Sequence, residues 1–117
     1  MRFMMIVKAN SETEAGVMPT QEELAEMGRF NDEMTKAGVM LAGDGLRDSS
    51  KGFRVSYGPG GAEKVTDGPF AEAKELVAGF WIIEVSSKAE AVQWAKRVPF
   101  REGELEVRQV FEEADFA

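Results

Sequence analysis

The residues best placed to do chemistry lie in one stretch, Thr66-Asp67-Gly68-Pro69-Phe70-Ala71-Glu72-Ala73-Lys74-Glu75. Pro69 fixes its own φ and biases Gly68 toward an extended conformation. Gly68 can adopt dihedrals closed to other residues. Asp67 can accept hydrogen bonds from the backbone N–H groups ahead of it, as in an Asx-turn. Asp67 to Phe70 therefore read as a rigid bend with an aromatic ring thrown to one side. Glu72, Lys74 and Glu75 follow, so carboxylates and one ammonium line the bend. One reading is a tight turn plugged by a buried Phe70 and flanked by solvated charges. The other is a pocket rim in which Asp67, Glu72 or Glu75 holds a proton or a cationic ligand.

The rest of the inventory narrows the chemistry. The chain has no histidine and no cysteine. The commonest general base near neutral pH, the commonest transition-metal ligand and any thiolate nucleophile are thereby removed. Acid–base work falls to carboxylates, Tyr57 and lysines, with Asp67, Glu72 and Glu75 as the catalytic candidates. Such a carboxyl needs burial or a like-charged neighbour to raise its pKa. The acidic spacing matches no calcium loop, so no metal is expected, and no cofactor either.

The net charge is −7. That argues against nucleic acid, whose partners carry a basic footprint, and against an anionic membrane surface. The apolar run Phe3 to Val7 is shorter than a signal-peptide core or a membrane span, and no longer run follows. The chain is expected to be cytoplasmic.

A length of 117 residues fits one domain, residues 1–117. Phe3 to Val7 reads as a buried strand. Asn10 to Met18 reads as a loop. Thr20 and Glu23 make a capping box, so a helix starts at about Gln21. Leu24, Met27, Phe30, Met34 and Ala37 form its apolar stripe, with the methionines as core filler, and Gly38 stops it. Val39 to Ala42 reads as a strand ended by a turn or bulge at Gly43-Asp44-Gly45. That triplet lacks the glycine spacing and the Lys-Ser/Thr of a phosphate loop.

Phe53, Val55 and Tyr57 alternate with polar residues, turn at Gly58-Pro59-Gly60-Gly61, and return through Glu63 to Thr66. This hairpin delivers the chain into the bend and places Arg54 within reach of Asp67 or Glu72. Val77 to Val85 is the strongest strand, apolar on both faces. Ser87 and Glu90 suggest a second capping box, and Pro99 ends the helix behind it. Trp94 lies off that helix's stripe, which places it at a sheet edge or subunit seam. Leu105 to Phe111 is a final strand, followed by an acidic tail.

The order is the ferredoxin-like βαββαβ arrangement of an α+β fold, with an extra β-hairpin. Two helices cover one face of the Val77–Val85 strand. The other face must also be dry, and a second subunit is the simplest cover, so a homodimer is expected.

The pattern Asp67-Gly68-Pro69-Phe70-x-Glu72-x-Lys74-Glu75 resembles the signature of the DGPF family, within the YCII-related superfamily. The likeness continues through Gly79-Phe80-Trp81-Ile82-Ile83-Glu84-Val85, then Glu90-Ala91-x-x-x-Ala95-Lys96, and Glu106-Val107-Arg108-Gln109-Val110. It spans essentially the whole chain. The resemblance implies a dimeric α+β barrel whose biochemical role is largely unassigned. It also implies a sigma factor of the extracytoplasmic-function type as a candidate partner, since relatives are often encoded beside or fused to one. YCII-like enzymes carry a histidine on the first helix and an aspartate before a proline after the second. Here the first helix has no histidine and Val98 precedes Pro99, so the resemblance brings no such pair.

Three readings follow. The first is a small dimeric ligand-binding or accessory domain, linked through a sigma factor to transcriptional regulation, with Arg54, Asp67, Gly68, Pro69, Phe70, Glu72, Lys74 and Glu75 as its ligand-binding candidates. The second is a cofactor-independent enzyme using the carboxylates near Asp67. The third is a structural interaction module.

Overall fold

A computed structural model describes residues 1–117. Strand β1 is Arg2–Lys8, followed by a single-turn helix α1, Ser11–Glu14, and the long helix α2, Gln21–Lys36. Strand β2 is Met40–Gly45, β3 is Phe53–Tyr57, β4 is Glu63–Asp67 and β5 is Val77–Glu84. Helix α3, Lys88–Arg97, and strand β6, Leu105–Gln109, complete the fold, and a 3-10 turn at Glu113–Phe116 ends the chain. Four strands form an open sheet in the order β2-β5-β1-β6, every pair antiparallel. Strands β3 and β4 form a separate two-stranded sheet. The molecule is mixed α+β, as the periodicities require.

The register sorts the sheet into two faces. Phe3, Met5, Trp81 and Ile83 alternate onto the side covered by α2 and α3, and all four are buried. They meet Phe30 and Met34 of α2 and Ala91 and Trp94 of α3 in one core. The Phe30 ring sits edge-on to Trp81, with centroids 5.7 Å apart. The Trp81 indole N–H donates to Asn31 Oδ1 at 2.9 Å, satisfying the one polar atom the ring carries inside. Met4, Ile6, Phe80 and Ile82 alternate onto the opposite face, where no helix lies, and remain half-buried.

Local chemistry sets the helix starts. The Glu23 N–H donates to the Thr20 hydroxyl at 3.1 Å, and the Thr20 N–H donates to the Glu23 carboxylate at 2.9 Å. The expected box at Ser87 is only half formed. The Glu90 N–H donates to Ser87 Oγ, but the Glu90 carboxylate accepts from the N–H and hydroxyl of Ser86 instead.

Several expectations are corrected. Gly43-Asp44-Gly45 does not end β2 but continues it, paired with Trp81, Phe80 and Gly79. A side chain at Gly43 would come within 2.5 Å of the Trp81 ring, so the glycine admits the indole rather than turning the chain. The bulge falls earlier, where the pairing skips from Met40 to Ala42. Asn10 to Met18 is not all loop, because Asn10 and Thr13 cap each other reciprocally and nucleate α1. Leu24 is exposed and stands outside the core. Trp94 is no edge residue: it packs against Phe30 in the core, and the Arg97 guanidinium covers its ring at 4.5 Å.

The β3–β4 hairpin takes no part in that core. Phe53, Val55, Tyr57 and Val65 share one of its faces, by register. Phe53 is 66% exposed, Tyr57 79% and Val65 63%, so this apolar face stands in water. The radius of gyration is 16.5 Å, against about 13 Å for a compact domain of this length.

Candidate functional site

The bend is built at one end of the sheet. There the Ala9 N–H donates to the Leu76 carbonyl, and the Leu46 N–H to the Ala78 carbonyl, each at 2.9 Å. Strands β3 and β4 carry the chain out and back, and the Gly68 N–H donates to the Gly52 carbonyl at 3.0 Å. Gly68 lies so close to the Ser49 carbonyl that an added Cβ would sit 1.8 Å from its oxygen. No residue with a side chain fits there. The Gly68–Pro69 peptide is cis.

Ser49, in the short 3-10 turn Ser49–Lys51, is the hub of the arrangement. Its hydroxyl accepts from the Phe70 N–H at 3.0 Å and donates to the Glu14 carboxylate. Its own N–H donates to the same carboxylate at 2.9 Å. Glu14 on α1 thus holds Ser49, and Ser49 holds the bend. Beside it the Ser50 hydroxyl donates to Asp48, and that bond keeps the Asp48 carboxyl below the usual aspartate range.

The structure brings together only part of the candidate set. Arg54 does not pair with Asp67 or Glu72. Its guanidinium carbon lies 3.8 Å from the centre of the Phe70 ring, a cation–π stack that joins the hairpin to the bend. Phe70 is accordingly half-buried beneath an arginine rather than a fully buried plug. Asp67 closes the β4 ladder opposite Phe53, is exposed, and its carboxylate accepts no hydrogen bond within the chain. The expected Asx-turn is replaced by the Ser49 anchor. Glu72, Lys74 and Glu75 are exposed, and none makes an ion pair within the chain. Gly68 and Pro69 form the bend itself.

Two residues that position the bend, Ser49 and Glu14, escaped the sequence reading. Ser49 is 21 residues from Phe70 and 35 from Glu14, so no local spacing announces either bond. The bend therefore offers a stacked aromatic–guanidinium pair, and the carboxylates next to Phe70 in sequence, Asp67, Glu72 and Glu75, are exposed. Stacking leaves the N–H edges of Arg54 open to an acceptor.

The ordering of strands, two helices on one face and the bend ahead of β5 define a recurring class of small α+β domain. The chain belongs to the YCII-related domain family, which it matches over residues 1–114. No curated protein matches it. Its fold is similar to that of 5-chloro-2-hydroxyhydroquinone dehydrochlorinase (TftG) from Burkholderia phenoliruptrix AC1100, solved in complex with 2,5-dihydroxybenzoquinone. The TM-score is 0.50 at 13% identity, and the match covers 98% of each chain. At that identity the likeness is one of fold. No helix here is long and apolar enough to cross a membrane.

Proposed function

We propose that the protein is a homodimeric, small-molecule-binding member of the DGPF branch of its family. In this reading the strand order is ferredoxin-like, and two sheets meet face to face as a dimeric α+β barrel. The observation that carries the reading is an excess of exposed surface. The chain exposes 8492 Å² at a mass of 12.9 kDa. That is about a third more than the roughly 6,300 Å² expected of a folded monomer of this mass. The excess includes an apolar hairpin face and the uncovered row Met4, Ile6, Phe80 and Ile82. A lone two-stranded hairpin is marginal in water. A second copy supplies cover for both surfaces at once.

The ligand site proposed is the bend. Phe70 and Arg54 offer a flat surface and a cationic edge, and Asp67, Glu72, Lys74 and Glu75 supply polar contacts at the rim. A small molecule with a planar ring and polar substituents fits that chemistry. A sigma factor as downstream partner rests on the family resemblance alone. The enzyme reading, with Asp67, Glu72 or Glu75 as acid or base, requires that assembly bury one of these carboxyls, because the isolated chain leaves all three in solvent.

Native mass spectrometry of protein purified from its own host tests the reading. The expected result is a complex of twice the chain mass that retains a small molecule. A second measurement on an Arg54→Ala variant should show the dimer without that molecule. A single chain mass at micromolar concentration overturns the assembly, and equal retention by the variant overturns the site.

A further inference from the structure

The two free edges of the four-stranded sheet are unlike one another. Strand β2 is broken by its bulge and contains Gly43 and Gly45, features that blunt an edge. Strand β6 pairs with β1 without interruption from Leu105 opposite Val7 to Gln109 opposite Phe3. The Lys8 N–H donates to the Glu104 carbonyl at 3.1 Å, and the Val110 N–H to the Arg2 carbonyl at 2.9 Å. By the alternation of an antiparallel ladder, the even-numbered residues of β6 turn their backbone groups toward β1. Leu105, Val107 and Gln109 turn theirs outward. No proline, bulge or helix protects them.

The same edge borders a mainly apolar groove of about 290 Å³ between α3 and β6, where Phe3, Ala91, Val92, Ala95, Leu105 and Val107 are joined by two lysines, Lys88 and Lys96. An unprotected edge beside an apolar groove is what an added strand requires.

The charges on β6 select the strand that fits. Arg108 lies opposite Met4 and Glu106 opposite Ile6, so both belong to the face that carries no helix. Their side chains already reach one another within the chain, Nη1 to carboxylate oxygen, at 3.3 Å. An antiparallel copy of β6 centred on Val107 would meet Val107 with the partner's Val107. Glu106 would then face the partner's Arg108, and Arg108 the partner's Glu106. Both charge pairs fall at non-hydrogen-bonded positions, where facing side chains are closest. Leu105, Val107 and Gln109 carry the outward backbone groups that this register needs.

We propose that β6 pairs with β6 of a second copy about a two-fold axis at Val107, and that this seam orients the homodimer. This rests on the homodimer proposed above and adds which edges meet. A two-fold running across the strands brings β6 to β6 and β2 to β2, and both junctions are antiparallel. The β6 junction zips through backbone bonds. The bulged β2 junction stays looser, and it lies on the side of the sheet from which the chain leaves toward the bend.

The chain has no cysteine, so single cysteines report the register cleanly. In this seam the two Val107 Cα atoms lie about 5.5 Å apart, inside the roughly 4.4–6.8 Å that a disulfide spans. The two Gln109 Cα atoms lie roughly 14 Å apart. Under mild oxidation Val107→Cys should become mostly covalent dimer and Gln109→Cys should not. As a second test that does not depend on a thiol, Arg108→Glu should weaken the dimer roughly tenfold by placing like charges opposite each other. Adding Glu106→Arg should restore it. If Val107→Cys stays unlinked while the complex keeps twice the chain mass, the seam is wrong and the dimer stands. Equal linking of both cysteine variants, or no restoration by the charge swap, also overturns the seam. A lone subunit overturns both.

Discussion

The two faces of one sheet teach most when set side by side. On the covered face Met5 and Ile83 lose all contact with solvent, and two helices supply the apolar partners. On the other face Met4, Ile6, Phe80 and Ile82 are as apolar, but the two long helices pack on the opposite side and leave them half-exposed. Sequence composition cannot separate the faces. Only the supply of covering elements does, and it runs out after α2 and α3. The covered face stabilises the subunit, and in the homodimer proposed above the bare face is where a second chain would gain its free energy of association.

Substitutions can break this contrast. The largest effect is expected at Ile83, which is 0% exposed. Ile83→Ala should cost about 2–5 kcal/mol of stability in a denaturant melt, because it leaves a cavity among packed neighbours. Its sequence neighbour Ile82, on the bare face, should behave differently. Ile82→Asp should keep the subunit folded by circular dichroism while raising the dimer dissociation constant about 100-fold, or about 2.7 kcal/mol. If both variants unfold the subunit alike, the division between the faces fails.

A smaller contrast holds within the bend. Ser49→Ala removes the acceptor for Phe70 and a donor to Glu14. It should cost about 1–2 kcal/mol. Asp67→Ala removes an exposed carboxylate with no intramolecular bond and should change stability by under ~0.5 kcal/mol. Thermal melts of the two variants would sharpen or reverse that ranking.

The smallest effect is expected at the tail. The hydrogen bond from Arg2 Nε, 2.8 Å long, holds the Glu112 carboxyl below the usual glutamate range. The contact's contribution is therefore fully present above the ordinary glutamate pKa and is lost as pH falls through the lower folded value. The protection of amides 112–116 from exchange, relative to the intrinsic rate at each pH, should stay constant from pH 7 to about 5 and fall only in more acidic buffer.

Much of the fold was legible because its signals are local. Thr20 and Glu23 announce α2 from three residues apart, and the alternation in Phe53, Val55 and Tyr57 announces β3. The apolar run of β5 gave both a strand and the need for cover on its second face. What could not be read depends on distant partners. Gly43 looks like a turn until Trp81 is seen to fill the space above it. Trp94 looks peripheral until Phe30 arrives from another helix. In the bend, Gly68 and Pro69 could be placed from their own backbone limits. The Arg54–Phe70 stack and the Ser49–Glu14 anchor could not, since both join segments brought together only by folding.

The most direct measurement is sedimentation velocity of the wild-type chain at micromolar concentration, beside Ile82→Asp. A wild-type species at twice 12.9 kDa and a variant at the single mass are expected. A wild-type protein that sediments as one stable chain, with Met4, Ile6, Phe80 and Ile82 left half-exposed, would contradict it.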